Sequence, residues 1–341
     1  MEWVFFMKYI RYIYSKILSV VPVIFGVTLV SFFLIHLIPG DPVRIMLHGR
    51  ATDEVVRQIY QDLGWDKPLI TQYFEFLFNA IQGDFGKSYI QKVSVSELIF
   101  ERVGPSVFLL TYSAVLSLII SLPLSYISSI KVNSYSDHII RSVGLMGFAM
   151  PPFWVGILLI LIFGLFLNLF PVSGYGEGFI GHIYHLFLPS LTIALFLSPM
   201  LTQSLRASIL DNLSSDYVEV AKSKGLSNKR IIFSHVFKNS LIPVVTILAV
   251  NLSWLISGAV IIEYVFSIPG LGTLLIRAIS YRDYTVIQGL CIVFSIMVVV
   301  VNLLADLCYM FLNPRVLKSV SYTHLRAHET EADLVCRLLL E

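Results

Sequence analysis

The chain has 341 residues, 56% hydrophobic and only 13% charged, with a mean hydropathy of +0.79; a soluble domain carries about a quarter charged residues, so this composition describes an integral membrane protein. A formal net charge of +2, with no basic patch interleaved with aromatics beyond what topology accounts for, gives no ground for a nucleic-acid partner. The three cysteines, Cys291 and Cys308 in apolar runs and Cys336 in a tail of different character, form neither a disulfide framework nor a thiolate metal site.

A helix needs about 20 residues to cross a hydrocarbon core. Six apolar stretches meet that length: Ile17 to Leu37, Val107 to Ile130, Ile139 to Leu169, Leu186 to Leu205, Leu241 to Ile262 and Thr285 to Leu312. The first follows Lys8, Arg11 and Lys16, as a signal peptide would, but its apolar run is too long and no small-residue cleavage site follows, so an uncleaved span is expected. The third contains Pro151-Pro152 and is expected to kink or tilt there, because proline removes a backbone donor and clashes with the preceding turn.

Residues 38–106 read as a small folded cap between the first two spans. Thr52 is placed to cap a helix through EVVRQIYQDLG, with Val55, Ile59 and Leu63 on one face and Gly64 as its stop; a second apolar-periodic run follows Pro68. GDFGKS (Gly83 to Ser88) invites a phosphate-loop reading. A phosphate loop needs a glycine where Ile81 stands, so the stretch is expected to be a turn.

Lysine and arginine set the orientation. With the N-terminus cytoplasmic, the inside segments hold Lys8, Arg11, Lys16, Lys131, Arg141, Arg206, Lys222, Lys224, Lys229, Arg230, Lys238, Arg315 and Lys318, whereas the short outside loops hold only Arg277 and Arg282. Both termini are therefore expected on the cytoplasmic side.

One polar insert interrupts the oil. DYVEVAKSKGLSNKRIIFSHVFKNSLIP (Asp216 to Pro243) divides into a helical piece ending at Gly225, where a residue without Cβ lets the chain turn, and a second piece capped by Ser227 or Asn228. Spacing alone leaves two readings: a compact knob pointing away from the membrane, or a loop helix lying on anionic headgroups. Within the spans, Gln203, Asn251, Ser253 and Asn302 can bond across helices or line a pathway, with Pro151 a candidate at the same level of the argument. Asp306 reads as a helix-end carboxylate, and His36, Glu263 and Arg277 as charges at membrane edges where they cost little. No catalytic residue, cofactor or metal site is expected, since neither H-E-x-x-H nor a nucleophile elbow occurs. An ion-coupled secondary transporter is the rival class, but the inverted repeats and midplane ionisable groups frequent in such proteins are not evident.

The polar insert resembles the cytoplasmic coupling loop of binding-protein-dependent ABC importer permeases: Glu219, Val220 and Ala221, then Gly225, then Ile242-Pro243. Val220 departs from the small residue usual there, and the run from Gly225 to Pro243 is longer, as in the branch for dipeptides, oligopeptides and nickel. Further segments are similar to that branch: LIPGDP (Leu37 to Pro42), LGWDKPLITQY (Leu63 to Tyr73), GDFGKSY (Gly83 to Tyr89), PPFWVGILL (Pro151 to Leu159), EYVFSIPGLGTLL (Glu263 to Leu275), RDYTVIQG (Arg282 to Gly289) and NPRV (Asn313 to Val316). The resemblance implies an all-α, six-span permease with a span and extracytoplasmic segment at 1–106, a transmembrane domain at 107–318 and a coupling loop at 207–240. It implies transport of di- or oligopeptides, or nickel or glutathione-type cargo. The implied partners are a second homologous permease, two cytoplasmic ATPases and an extracytoplasmic solute-binding protein, within membrane lipid. Ala221 and Gly225 would permit close docking of an ATPase and Glu219, Lys222 and Lys224 would orient it; Pro123, Pro151, Pro152 and Gly156 would let helices bend. The last segment, residues 319–341, resembles a translated sequencing-adapter tail, and its His324 and His328 are given no role.

Overall fold

The structure is a computed structural model that describes residues 18, 20–33, 43–44, 52–62, 64–88 and 90–312. The N-terminal cations, His36, Leu63, the LIPGDP and NPRV segments, Lys318 and the 319–341 tail lie outside the described residues.

Helix α1 covers Val20–Phe33 and is the described part of the first expected span. The cap follows, with α2 (Asp53–Asp62) and α3 (Leu69–Ile81). In α2 the buried face is Val56 and Ile59, packed with Val43, Tyr60 and Trp65, while Val55 is exposed; the inward face is therefore one residue along from the one expected. Gly64 ends this unit at φ +65°, a conformation that costs only glycine little. Gly83–Ser88 is a turn, with Gly83 and Gly86 at positive φ, Asp84 accepting from the Gly86 amide, and a bridge between Lys87 and Ser94 closing it.

The long helices then run between two faces of the molecule. Helix α4 (Val95–Ile130) descends from the cap face. Helix α5 (Tyr135–Ala149) turns back up, and α6 (Pro152–Leu159, continuing as a π-helical turn, Ile160–Phe166) breaks away from it by 102° at the expected prolines.

 Met150 stands before Pro151 and is pushed to an extended conformation (φ −87°, ψ 136°), so α5 must end, and Pro152 takes the first position of the new helix, where its missing N–H costs nothing. Helix α7 (Gly178–Leu213) returns to the lower face. After it come α8 (Asp216–Ser223) and α9 (Asn228–Ile231), the latter passing through a second π-helical turn, Ile232–Val236, into α10 (Phe237–Val265). Helices α11 (Leu271–Tyr281) and α12 (Tyr284–Leu312) complete the described chain.

Among the described residues four helical segments are long and apolar enough to cross a membrane, at Val95–Ile130, Gly178–Leu213, Asn228–Ser253 and Tyr284–Cys308, or five if the bent α5–α6 pair forms one span. The helices overrun the expected spans: α4 starts twelve residues before Val107, and α7 continues eight past Leu205, into the segment expected to be loop.

The most extensive helix pair is α4 with α7. Its cause is a stripe the sequence displays plainly: Ser113, Ser117, Ser121, Ser125 and Ser129, one every four residues, all buried. Each hydroxyl donates to a carbonyl three or four residues earlier in its own helix, so the small side chains are satisfied and the backbones can approach. Gly156 serves the same end in α6. A Cβ there would stand 3.0 Å from the Phe266 ring, so close packing, rather than a bend, is what this glycine supplies.

Candidate coupling surface and helix clamps

The polar insert folds as a knob fused to the feet of two long helices. Its inner face, Val218, Ala221, Ile231 and Val236, is buried together with Leu201, Leu205 and Ile209 of α7 and Val244 of α10. Glu219, Val220, Lys222, Lys224 and Gly225 stand on the outer, exposed face. Ala221 thus permits close approach between the knob and its own helices, while Glu219, Lys222, Lys224 and Gly225 remain exposed. Gly225 adopts φ +75°, and the amide of Leu226 donates to the Ala221 carbonyl at 3.2 Å, closing α8 as the glycine stop requires. Ser227 occupies the position before α9, but its side chain makes no capping bond; the Ile231 amide reaches the Ser227 carbonyl instead.

A single amide ties the junction. Asn212, near the end of α7, donates to Ser240 Oγ of α10 at 3.2 Å and accepts from the Tyr217 hydroxyl of α8 at 2.9 Å. Asn212 therefore links α7, α8 and α10.

Two buried carboxylates clamp the helices at opposite faces. On the knob face, Asp137 of α5 is fully buried and accepts from Arg206 of α7 through both guanidinium arms, Nε at 2.9 Å and Nη2 at 2.8 Å. Ser128 of α4 and the Asn133 amide also donate to it, and Arg141 lies 3.4 Å away. Positive-inside counting treats Arg141 and Arg206 as topology markers; the structure adds that they flank one carboxylate. The sequence signal was Asp137 itself, an acid in the first turn of its helix with Arg141 four residues on.

On the cap face, Glu263 is 2% exposed. This corrects the expectation of a membrane-edge charge. Its Oε1 accepts from Ser106 Oγ at 2.6 Å, and its Oε2 from the amides of Gly272 and Thr273 at 2.7 and 3.3 Å, while Ser106 Oγ accepts from the Leu271 amide at 2.8 Å. The first amides of α11, which have no partner within their own helix, are all satisfied by α10 and α4. A Cβ on Gly272 would lie 2.5 Å from Val260 Cα, and one on Gly270 2.3 Å from Glu263 Oε2, so SIPGLG is the sequence that lets α11 sit on the carboxylate.

The candidate pathway residues behave differently. Asn251 donates to the Ile247 carbonyl at 2.7 Å, Ser253 to Ala249 at 3.0 Å and Asn302 to Val298 at 3.0 Å, each within its own helix. Pro151 marks the helix break. An apolar cavity of about 400 Å³ lies between α4, α5 and α7, with Gly144, Gly147, Phe196, Pro199 and Gln203 in its wall and Arg206 at one end. Among the described residues no group of three or more His, Cys, Asp or Glu side chains is placed to hold a metal ion.

A helical membrane scaffold with a knob fused to two spans is the architecture of an importer permease. Residues 121–318 match the family described as binding-protein-dependent transport system inner membrane component, and residues 9–111 match its N-terminal counterpart. The chain belongs to this family of ABC importer permeases. It is 33% identical over 307 residues to the glutathione transport system permease protein GsiC of Escherichia coli (strain K12), covering 90% of this chain and 99% of that protein. It is 34% identical over 311 residues to the oligopeptide transport system permease protein AppB of Bacillus subtilis (strain 168), covering 89% and 98%. A chain from the inward-facing MetNI methionine ABC transporter shares the fold, with a TM-score of 0.52 at 13% identity over 63% of this chain and 96% of that one.

Proposed function

We propose that this permease carries peptides, with small thiol peptides of the glutathione kind within its range, and that the Asp216–Asn239 knob is where a separate ATPase subunit docks. The names of the two relatives support the cargo class. The observation that carries the docking reading is the division of the knob: its inner face is continuous with the packing of α7 and α10, and its outer face leaves Glu219, Val220, Lys222 and Lys224 exposed around a glycine turn. A surface of that kind converts movement of a soluble partner into movement of two spans, the two-state element that coupling between distant sites requires. In this reading the knob and both termini are cytoplasmic, the cap is extracytoplasmic and meets a solute-binding protein, and a second permease completes the pathway. The chain itself contributes no catalytic group.

The test is co-purification of the chain, truncated after Lys318, followed by mass spectrometry of what comes with it. An ATPase, a second permease and a receptor are expected. Gly225→Glu is expected to lose the ATPase and keep the permease partner, and Lys222→Glu with Lys224→Glu, which leaves the backbone unstrained, is expected to do the same. Retention of the ATPase by both variants would place docking elsewhere.

A further inference from the structure

Helix α3 has two apolar faces, and the cap uses only one of them. Tyr73 and Phe76 turn toward α1, where Tyr73 stacks edge-to-face on Phe25 and Phe32 and its hydroxyl shares a 3.1 Å hydrogen bond with Thr28 Oγ1. The second face is Ile70, Phe74, Phe78 and Ile81, spaced by four, four and three residues, with each side chain between 60% and 78% exposed. A continuous stripe of large apolar side chains is not left in water by a soluble segment.

The depth of α3 is fixed by its contacts. Gln288, in the second turn of α12, donates to the Ser31 carbonyl of α1, so Ser31 lies level with that turn. Thr28 and Phe25 then lie about 5 and 9 Å further along the axis, at 1.5 Å per residue. The apolar span of α12 runs Tyr284–Cys308, so Gln288 lies near its cap-side end. Ser31 shares that level, and Thr28 and Phe25 lie deeper along the spans. Tyr73 therefore reaches acyl-chain depth, and α3 packs beside α1, whose own Val21, Phe25 and Val30 are exposed.

We propose that α3 is an interfacial helix seated in the leaflet on the cap side, with Ile70, Phe74, Phe78 and Ile81 among phospholipid acyl chains. The occupant of the stripe is lipid, and the cap rides on the bilayer. The stripe carries no charge, and the ion pair of Lys67 with Glu75 (2.7 Å) holds the charge of this region at the other flank. Helix α3 itself has no lysine or arginine, unlike interfacial helices that bind through anionic headgroups, so its seating depends on apolar burial and not on lipid charge.

Site-directed spin labelling tests this in the assembled transporter in lipid nanodiscs, with Cys291, Cys308 and Cys336 replaced by alanine. Nitroxides at Phe74→Cys and Phe78→Cys are expected to collide more with dissolved oxygen than with a water-soluble nickel chelate, matching a label at Val30→Cys on α1 and opposing one at the exposed Asp66→Cys. The same ratio is expected in zwitterionic and in anionic lipid. Access by the nickel chelate at the Asp66 level would place the stripe in water, and exclusion of both reagents with an immobilised spectrum would show a protein partner; either overturns the proposal. Labels at Ile70→Cys and Ile81→Cys supply the same readout should a phenylalanine variant fail to assemble.

Discussion

The carboxylates Glu263 and Asp137 are both buried, both bind three helices into one unit, and are satisfied in different ways. Glu263 is held by a hydroxyl and two backbone amides, donors that cannot leave without unwinding the start of α11. Asp137 is held chiefly by Arg206, a long side chain on a different helix, with Ser128 and the Asn133 amide assisting. Backbone donors make a fixed joint, whereas a guanidinium on a flexible stem makes one that can be released and remade. The fixed joint lies on the cap face and the releasable one on the knob face, two turns before the end of α7.

The largest effect is expected at the fixed joint. Glu263→Ala leaves the Ser106 hydroxyl and two amides buried without an acceptor, at about 1–3 kcal/mol each, so little folded protein should accumulate. Gly272→Ala reaches the same end by collision with Val260, and both are read from the yield of monodisperse protein in detergent. A well-folded Glu263→Ala would show that water or another group replaces the carboxylate, and the contrast between the joints would fail.

At the releasable joint Asp137→Ala strands Arg206 and should cost about 3 kcal/mol, since breaking a buried pair from one side leaves an uncompensated charge. Replacing both residues, Asp137→Leu with Arg206→Met, should recover much of the thermal stability while leaving transport impaired. Transport at the wild-type rate in the double variant would reduce the pair to a packing device. Gly225 comes next: its φ of +75° makes Gly225→Val cost about 1–2 kcal/mol by strain alone, whereas Gly225→Asn should be nearly neutral in thermal stability.

The long apolar helices, the two cap helices and the turn at Gly225 were legible because each is a local pattern: apolar runs of sufficient length, a glycine stop, a charged insert between two oily stretches. Both carboxylate joints were not. Glu263 meets Ser106 across 157 positions and Asp137 meets Arg206 across 69, and no spacing rule links residues that far apart. Their environment inverted the meaning of the charge, from an edge residue to a helix-capping group in one case and from topology markers to clamp partners in the other. The serine stripe of α4 was visible as a four-residue repeat, yet its consequence, the close approach of α7, depends on a helix about 70 residues later. Val55 and Val56 illustrate the smallest failure, one residue of register, decided by where Val43 and Trp65 happen to close the cap.

A third buried carboxylate provides the finest test of the contrast. Asp283 lies between α11 and α12, 2% exposed, and accepts from the Ser88 hydroxyl of the cap turn. Burial raises its pKa above the ordinary carboxylate value, and bonds from the Ser88 hydroxyl and the Val286 and Ile90 amides offset this only in part. Among the described residues no guanidinium is bonded to it, and like Glu263 it is held by a hydroxyl and amides. Because the folded-state pKa is the higher one, the native state binds the proton more tightly than the unfolded chain. Stability from this group is therefore fullest below the unfolded value of about 4 and declines as pH rises through the folded value. Thermal midpoints measured from about pH 4 to pH 7 should fall more in the wild type than in Asp283→Asn, whose amide does not titrate, by a margin of about a degree or two. Equal slopes would mean that water reaches Asp283 in the folded protein, and that this carboxylate does not belong with the buried joint at Glu263.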